Sequence, residues 1–224
     1  MARGLFITGT DTGCGKTEIT LGFMHKLQQR GDRVLGMKPV ASGADKTVEG
    51  LRNEDALRIQ SQCSQQVSYD WINPYAYAPP IAPHLAAEAA GRPIDPQQLV
   101  DICTRLGSMA DSILVEGVGG WSVPLNEDHT LGDLANLLDL PVILVVGLKL
   151  GCINHALMTE SCINHSGSRL LGWVANQVDT VMDAREGNLR TLSERLSVPC
   201  LGVVPWLEQP TPAEVAGYLD DSLL

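Results

Sequence analysis

Gly9-Thr10-Asp11-Thr12-Gly13-Cys14-Gly15-Lys16-Thr17 gathers the residue types that hold a phosphate chain. Glycines let the backbone curl so that several N–H groups face one anion, a lysine adds a mobile positive charge, and a threonine hydroxyl can ligate Mg²⁺. The segment follows the apolar run Gly4-Leu5-Phe6-Ile7-Thr8 and opens a helix-compatible stretch from Lys16 to Arg30. A strand before and a helix after are the setting that a phosphate-binding loop requires. Gly9 and Gly15 bracket five residues, one more than in the common G-x-x-x-x-G-K-[ST] spacing, so this is a variant loop. It predicts a nucleoside triphosphate with Mg²⁺, bound through Gly13, Cys14, Gly15, Lys16 and Thr17.

Further polar residues stand where apolar runs end. Gly36-Met37-Lys38-Pro39-Val40 sets a lysine inside an apolar run, where burial costs free energy unless an anion meets it. Lys38 therefore reads as functional, the alternative being a side chain that snorkels from a strand end. Ala41-Ser42-Gly43 follows with a hydroxyl and free N–H groups. Leu114-Val115-Glu116-Gly117-Val118-Gly119-Gly120 caps an apolar run with one carboxylate and then glycines, which suits a Mg²⁺ ligand paired with Thr17. In Arg52-Asn53-Glu54-Asp55 the two acids are nearly indistinguishable, since acids at a helix start are usually caps or dipole partners. Asn176, in Val174-Ala175-Asn176-Gln177, offers the donor and acceptor pair that matches adenine, or forms a turn. Pro205-Trp206-Leu207 could wall a base pocket or end a strand. Gly151-Cys152-Ile153-Asn154 opens a helix whose free N–H groups could receive a carboxylate.

Positioning these groups takes an ordered sheet. Short apolar runs at Leu5–Thr8, Arg33–Val40, Ser112–Glu116, Val142–Val146, Leu170–Asn176 and Cys200–Val204 predict buried parallel strands. Helical patterns at 16–30, 84–90, 95–109, 131–139, 153–167 and 187–197 alternate with them. The expected fold is α/β: a doubly wound, mainly parallel sheet with helices on both faces, in one domain spanning residues 1–224. Ligands in such folds sit beyond the carboxyl ends of the strands. Asn73 to Pro83 carries Pro74, Pro79, Pro80 and Pro83, and is expected to be an irregular connector packed over one edge.

A net charge of -10 opposes attraction to nucleic acid or anionic lipid, so neither is an expected partner. Met1-Ala2-Arg3-Gly4 enters a strand directly with no signal-like segment, and the longest uncharged apolar run, Pro141 to Leu148, is strand length; the cytoplasm is the expected location. The six cysteines lie far apart without a C-x-x-C, which favours free thiols over a zinc site or disulfides. The five histidines form no nucleophile or metal pattern, and the Cys-Ile-Asn-His tetrads at 152–155 and 162–165 are offset by about 2.8 helical turns, too far round to share one metal.

Taken together, Gly9-Thr10-Asp11-Thr12, Gly15-Lys16-Thr17, Lys38-Pro39-Val40-Ala41-Ser42-Gly43, Leu51-Arg52-Asn53, Asp55-Ala56, Val115-Glu116-Gly117, Gly119-Gly120-Trp121 and Lys149-Leu150-Gly151-Cys152-Ile153-Asn154-His155-Ala156 resemble the dethiobiotin synthetase family. The resemblance implies closure of a ureido ring on 7,8-diaminononanoate with CO₂ and ATP, in biotin synthesis. It places Thr12, Lys16, Lys38 and Ser42 around the carbamate and γ-phosphate. It gives Mg²⁺ to Thr17, Asp55 and Glu116, choosing Asp55 over Glu54. It assigns Gly117, Val118 and Gly119 to the nucleotide site, and adenine to Asn176 with Gln177 and Pro205 to Leu207. It also implies a homodimer with substrate at the interface, the substrate carboxylate meeting Gly151 to Asn154 of the other copy. Three departures stand out: Gly13-Cys14 where Glu-Val is frequent, Gln177 where Asp is frequent, and Thr211-Pro212 where an acid often helps, with Glu208 a possible substitute. The rival reading, a partitioning-type ATPase switch without a small-molecule product, usually carries a second lysine early in the loop; here Asp11 and Thr12 stand there.

Overall fold

The computed structural model describes residues 3–224; the expected strand entry at Met1-Ala2 and the first two positions of the expected domain lie outside the described residues. In chain order the elements are β1 (Arg3–Gly9), α1 (Lys16–Gln29), β2 (Val34–Met37), β3 (Val40–Ser42), β4 (Asp45–Thr47), β5 (Gly50–Arg52), α2 (Glu54–Gln62), α3 (Tyr69–Ile72), β6 (Tyr75–Tyr77), α4 (Pro83–Ala89), α5 (Pro96–Gly107), β7 (Ser112–Glu116), α6 (Leu131–Leu138), β8 (Val142–Leu148), α7 (Cys152–His165), β9 (Leu170–Gln177), α8 (Arg185–Arg195), β10 (Cys200–Val204) and α9 (Pro212–Ala216).

Six strands form one parallel sheet in the order β10-β9-β8-β1-β7-β2. Their near-continuous apolar sequences follow from burial on both faces. Alternate residues of each strand enter two separate cores. Phe6, Ile113, Val115, Leu144 and Val146 pack with Leu99 of α5, Leu134 of α6, Ile163 of α7 and Leu192 of α8. Leu5, Ile7, Leu114, Ile143 and Val145 pack on the opposite face with Ile19 and Phe23 of α1, Ile59 of α2 and Val215 of α9. Helices thus cover both faces, as the alternation of patterns predicts. β1 lies between β7 and β8, the place where the chain changes its direction of travel across the sheet. The crevice of a doubly wound fold opens at that switch, above the carboxyl ends of the strands.

The expected strand 33–40 breaks in two. Lys38-Pro39 interrupts it because proline has no N–H to donate, while Lys38 N–H donates to Ile72 O at 2.7 Å. The chain then leaves the main sheet, and β3 pairs in parallel with β6. The expectation that Asn73 to Pro83 contains no regular structure is therefore corrected. Tyr75–Tyr77 is a proline-free triplet between Pro74 and Pro79, and the flanking bonds run from Tyr75 N–H to Pro39 O at 3.2 Å and from Ala44 N–H to Tyr77 O at 2.9 Å. Pro83 begins α4 at a position where a missing N–H costs nothing. Among the described residues no helix is long and apolar enough to cross a membrane.

Candidate active site

β1 delivers the glycine-rich loop to the switch point, and Gly15 closes it as the N-cap of α1 with φ 85°. A side chain does not fit there. A Cβ on Gly15 would stand 2.0 Å from Asn176 Nδ2, and one on Gly9 would stand 2.3 Å from Cys14 Sγ. Cys14 is fully buried beneath the loop, and its backbone oxygen accepts from Asn176 Nδ2 at 3.0 Å. Gly13, also at positive φ, faces open space, so the loop's outer wall has no side chain at that position. Lys16 Nζ arches back over the loop, donating to Asp11 O at 2.9 Å and Gly119 O at 2.8 Å.

The register of β1 against β7 pairs Ile7 with Glu116, which brings the carboxylate beside the start of the loop. Glu116 is fully buried; its Oε1 accepts from Thr17 Oγ1 at 2.9 Å and from Lys38 Nζ at 2.5 Å, while Oε2 has no partner. Lys38 is 5% exposed and also donates to Asp55 Oδ2 at 2.9 Å. Burial pushes the Lys38 pKa down, but the Glu116 and Asp55 carboxylates outweigh it and hold the group protonated above its ordinary range. Burial pushes the Asp55 carboxyl up, and the Lys38 charge and hydrogen bond, with the neighbouring Thr17 hydroxyl, bring it below the usual carboxylate range. Asp55 is the acid that turns into this cluster, and Glu54 is exposed. Asn53 caps α2 by accepting the Ala56 N–H at 3.2 Å and so starts the helix that carries Asp55.

One cavity of 620 Å³ collects Thr12, Gly13, Gly15, Lys16, Thr17, Lys38, Ser42, Asp55, Glu116, Val118 and Gly119. Ser42 Oγ is buried without a partner. Gly117 lies behind this wall, its N–H donating to Ile7 O at 2.9 Å. Asn176, Gln177 and Pro205 to Leu207 do not line the cavity; Gln177 Nε2 donates to Asp179 O at 3.1 Å, and Trp206 is 46% exposed. Gly151, Cys152, Ile153 and Asn154 do not line it either. Cys152 is buried in the core at the start of α7, whereas Gly151 and Asn154 face outward.

Several contributors carried weak signals in the sequence. Pro80 to Pro83, read as a connector, forms a wall of the cavity. Glu18, which also lines it, follows Thr17 directly and looks like an ordinary helix-start acid; it pairs bidentately with Arg58 at 2.5 and 2.8 Å. Two of the thiols are poor nucleophiles, since burial pushes the half-buried Cys63 up to about 11 and the buried Cys103 up to about 12.

Residues 3–214 match the model of a family described as an AAA domain. The chain is 52% identical to an ATP-dependent dethiobiotin synthetase BioD from Pseudomonas aeruginosa over 216 residues, 96% of this chain and 95% of that protein. It belongs to the ATP-dependent dethiobiotin synthetase family. A second dethiobiotin synthetase, from Cellvibrio japonicus, is 47% identical over 97% of this chain and 96% of its own. The synthetase fold is also that of a ParA family ATPase from Chlorobium tepidum, with a TM-score of 0.61 over 97% of this chain and 98% of that one. At 14% identity that likeness concerns the fold alone.

Proposed function

We propose that this chain is an ATP-dependent dethiobiotin synthetase, joining 7,8-diaminononanoate, CO₂ and ATP into dethiobiotin, ADP and phosphate, as a single P-loop domain acting in the cytoplasm. The observation that carries the reading is the meeting of two buried lysines, Lys16 and Lys38, with the unpartnered Ser42 hydroxyl in one cavity. A partitioning-type switch carries its second lysine early in the loop, where this chain has Asp11 and Thr12; here the second cation, Lys38, instead comes from the end of a strand and shares the cavity with a free hydroxyl.

The chemistry needs no covalent enzyme intermediate. One amine of the substrate attacks CO₂ and loses a proton to become a carbamate. A carbamate oxygen takes the γ-phosphoryl group from ATP, releasing ADP, and the second amine then attacks the carbonyl carbon as phosphate leaves. Such steps are accelerated by placement and by positive charge around the transferring oxygens. Lys16 and the amides of Gly13 to Thr17 face the phosphates, while Lys38, Thr12 and Ser42 orient the carbamate. The oxygen donors Thr17, Asp55 and Glu116 fit Mg²⁺, a hard cation that takes one or two carboxylates and leaves its remaining positions to phosphates and water. The orphan Glu116 Oε2 supports this fit. Bound there, Mg²⁺ supplies charge neutralisation to the phosphate oxygens.

Asn176 and Gln177, with Pro205 to Leu207, receive the adenine. Because Asn176 also braces Cys14 O, Asn176→Ala has two expected effects: nucleotide affinity falls roughly fivefold, the worth of one hydrogen bond, and the preference for adenine over cytosine nucleotides weakens. Competition binding measures both, and an unaltered base preference would leave Asn176 with the bracing role alone. The Gly151 to Asn154 segment at the start of α7, in which Gly151 and Asn154 face outward, serves a second copy in a homodimer, where its N–H groups take the substrate carboxylate. Supplying ¹³C-bicarbonate with MgATP and the diamine tests the whole reading by mass spectrometry: the label is expected in the ureido carbon of dethiobiotin, and unlabelled or absent product would refute it.

A further inference from the structure

Asp11 and Lys149 have no role in the account so far, yet across 138 positions of chain they form an ion pair of 2.6 Å beside the phosphate loop. Asp11 is used at three points. Its backbone oxygen accepts from Lys16 Nζ at 2.9 Å, its Oδ1 accepts the Thr12 N–H at 2.7 Å, and its Oδ2 takes the Lys149 ammonium. Thr12 and Lys16 both open onto the cavity. Lys149 directly follows β8, and its own carbonyl accepts the Cys152 N–H that begins α7 at 3.0 Å. One carboxylate thus ties the reacting side of the loop to the turn before α7. The hydrogen bond from Lys149 holds the Asp11 carboxyl below its ordinary range despite some burial, with the Thr12 N–H adding to it.

We propose that Asp11 is a positioning residue and Lys149 its anchor: together they fix the Thr12 turn and the head of Lys16 in the arrangement that phosphoryl transfer requires. Their side chains are 42% and 39% exposed, so the pair contributes little to folding. Its contribution is to geometry, where small displacements of reacting groups cost large factors in rate.

The test uses Asp11→Asn, which keeps an acceptor for Thr12 and the carbonyl for Lys16, together with Lys149→Met, the double variant and Lys149→Arg. Steady-state kinetics with the diamine, equilibrium ATP binding, and amide exchange over residues 10–16 are measured on each. The kinetic arm rests on the synthetase reading, and wild-type protein is assayed alongside: absence of diamine-dependent turnover there would count against that reading, leaving amide exchange to decide the present one. Each single variant is expected to lose about tenfold in kcat while ATP Kd moves by less than about threefold. The double variant should be no slower than the slower single, since both remove one interaction, and Lys149→Arg should recover most of the rate. Exchange at the Thr12 amide should quicken in Lys149→Met. Unchanged kcat in both singles, additive losses, loss of ATP affinity in step with kcat, or unchanged exchange would each overturn the assignment.

Discussion

Lys38→Ala will lower turnover by about 10³-fold while leaving ATP affinity within a few-fold of wild type, because a fixed cation at the transferring oxygens acts mainly on the transition state. The ammonium is 5% exposed, is held between Asp55 and Glu116, and makes no hydrogen bond to the glycine-rich loop. In the proposed reading the nucleotide keeps Lys16 and the loop amides. Removal also leaves Asp55 and the fully buried Glu116 facing one another without their neutralising partner, which costs about 3 kcal/mol of stability in pairs of this kind. Single-turnover kinetics and equilibrium ATP binding on the same preparation separate the two effects, with a thermal melt to confirm folding. Near-normal turnover would remove Lys38 from the reacting group, and loss of ATP binding in step with turnover would make it a nucleotide ligand.

Gly15→Ala will act on binding instead. Its φ of 85° strains any L side chain, at a cost of about 1–2 kcal/mol. Its Cβ would also stand 2.0 Å from Asn176 Nδ2, and so would drive that amide off Cys14 O, forfeiting a further ~1 kcal/mol. Sums near 3 kcal/mol correspond to about 10²-fold in ATP affinity when they fall on the bound form of the loop. Pairing Gly15→Ala with Asn176→Gly relieves the clash but not the backbone strain, so affinity should recover only partly. Full recovery would show that the contact with Asn176 is the whole requirement for glycine; no loss in the single variant would show that the loop tolerates a different path.

How much of this was legible in the sequence depended on whether the signal was local. The six main strands are apolar runs, and a charge standing at the end of two of them, β2 and β7, located Lys38 and Glu116 directly. The loop's glycines and Lys16-Thr17 were equally plain. Glu54 and Asp55 were not separable by pattern, because both lie in the first turn of α2; the tertiary turn of that helix toward Lys38 chooses Asp55. Resemblance reached the same residue through its neighbours. The break at Pro39 and the strand Tyr75–Tyr77 were missed because their ladder joins short segments more than thirty positions apart, with no periodicity long enough to mark either. Proline spacing made Asn73 to Pro83 look irregular, yet the prolines flank the ladder and do not occupy it. The Asp11–Lys149 and Glu18–Arg58 pairs are contacts across distant loops and helices, which no local pattern encodes.

The central claim, that this cavity couples ATP to a diamine and CO₂, is tested most directly by phosphate release from MgATP in bicarbonate buffer with and without 7,8-diaminononanoate. Release that depends on the diamine, in step with dethiobiotin formed, is the predicted result. Release at the same rate without it would contradict the claim and make the chain a nucleotide switch.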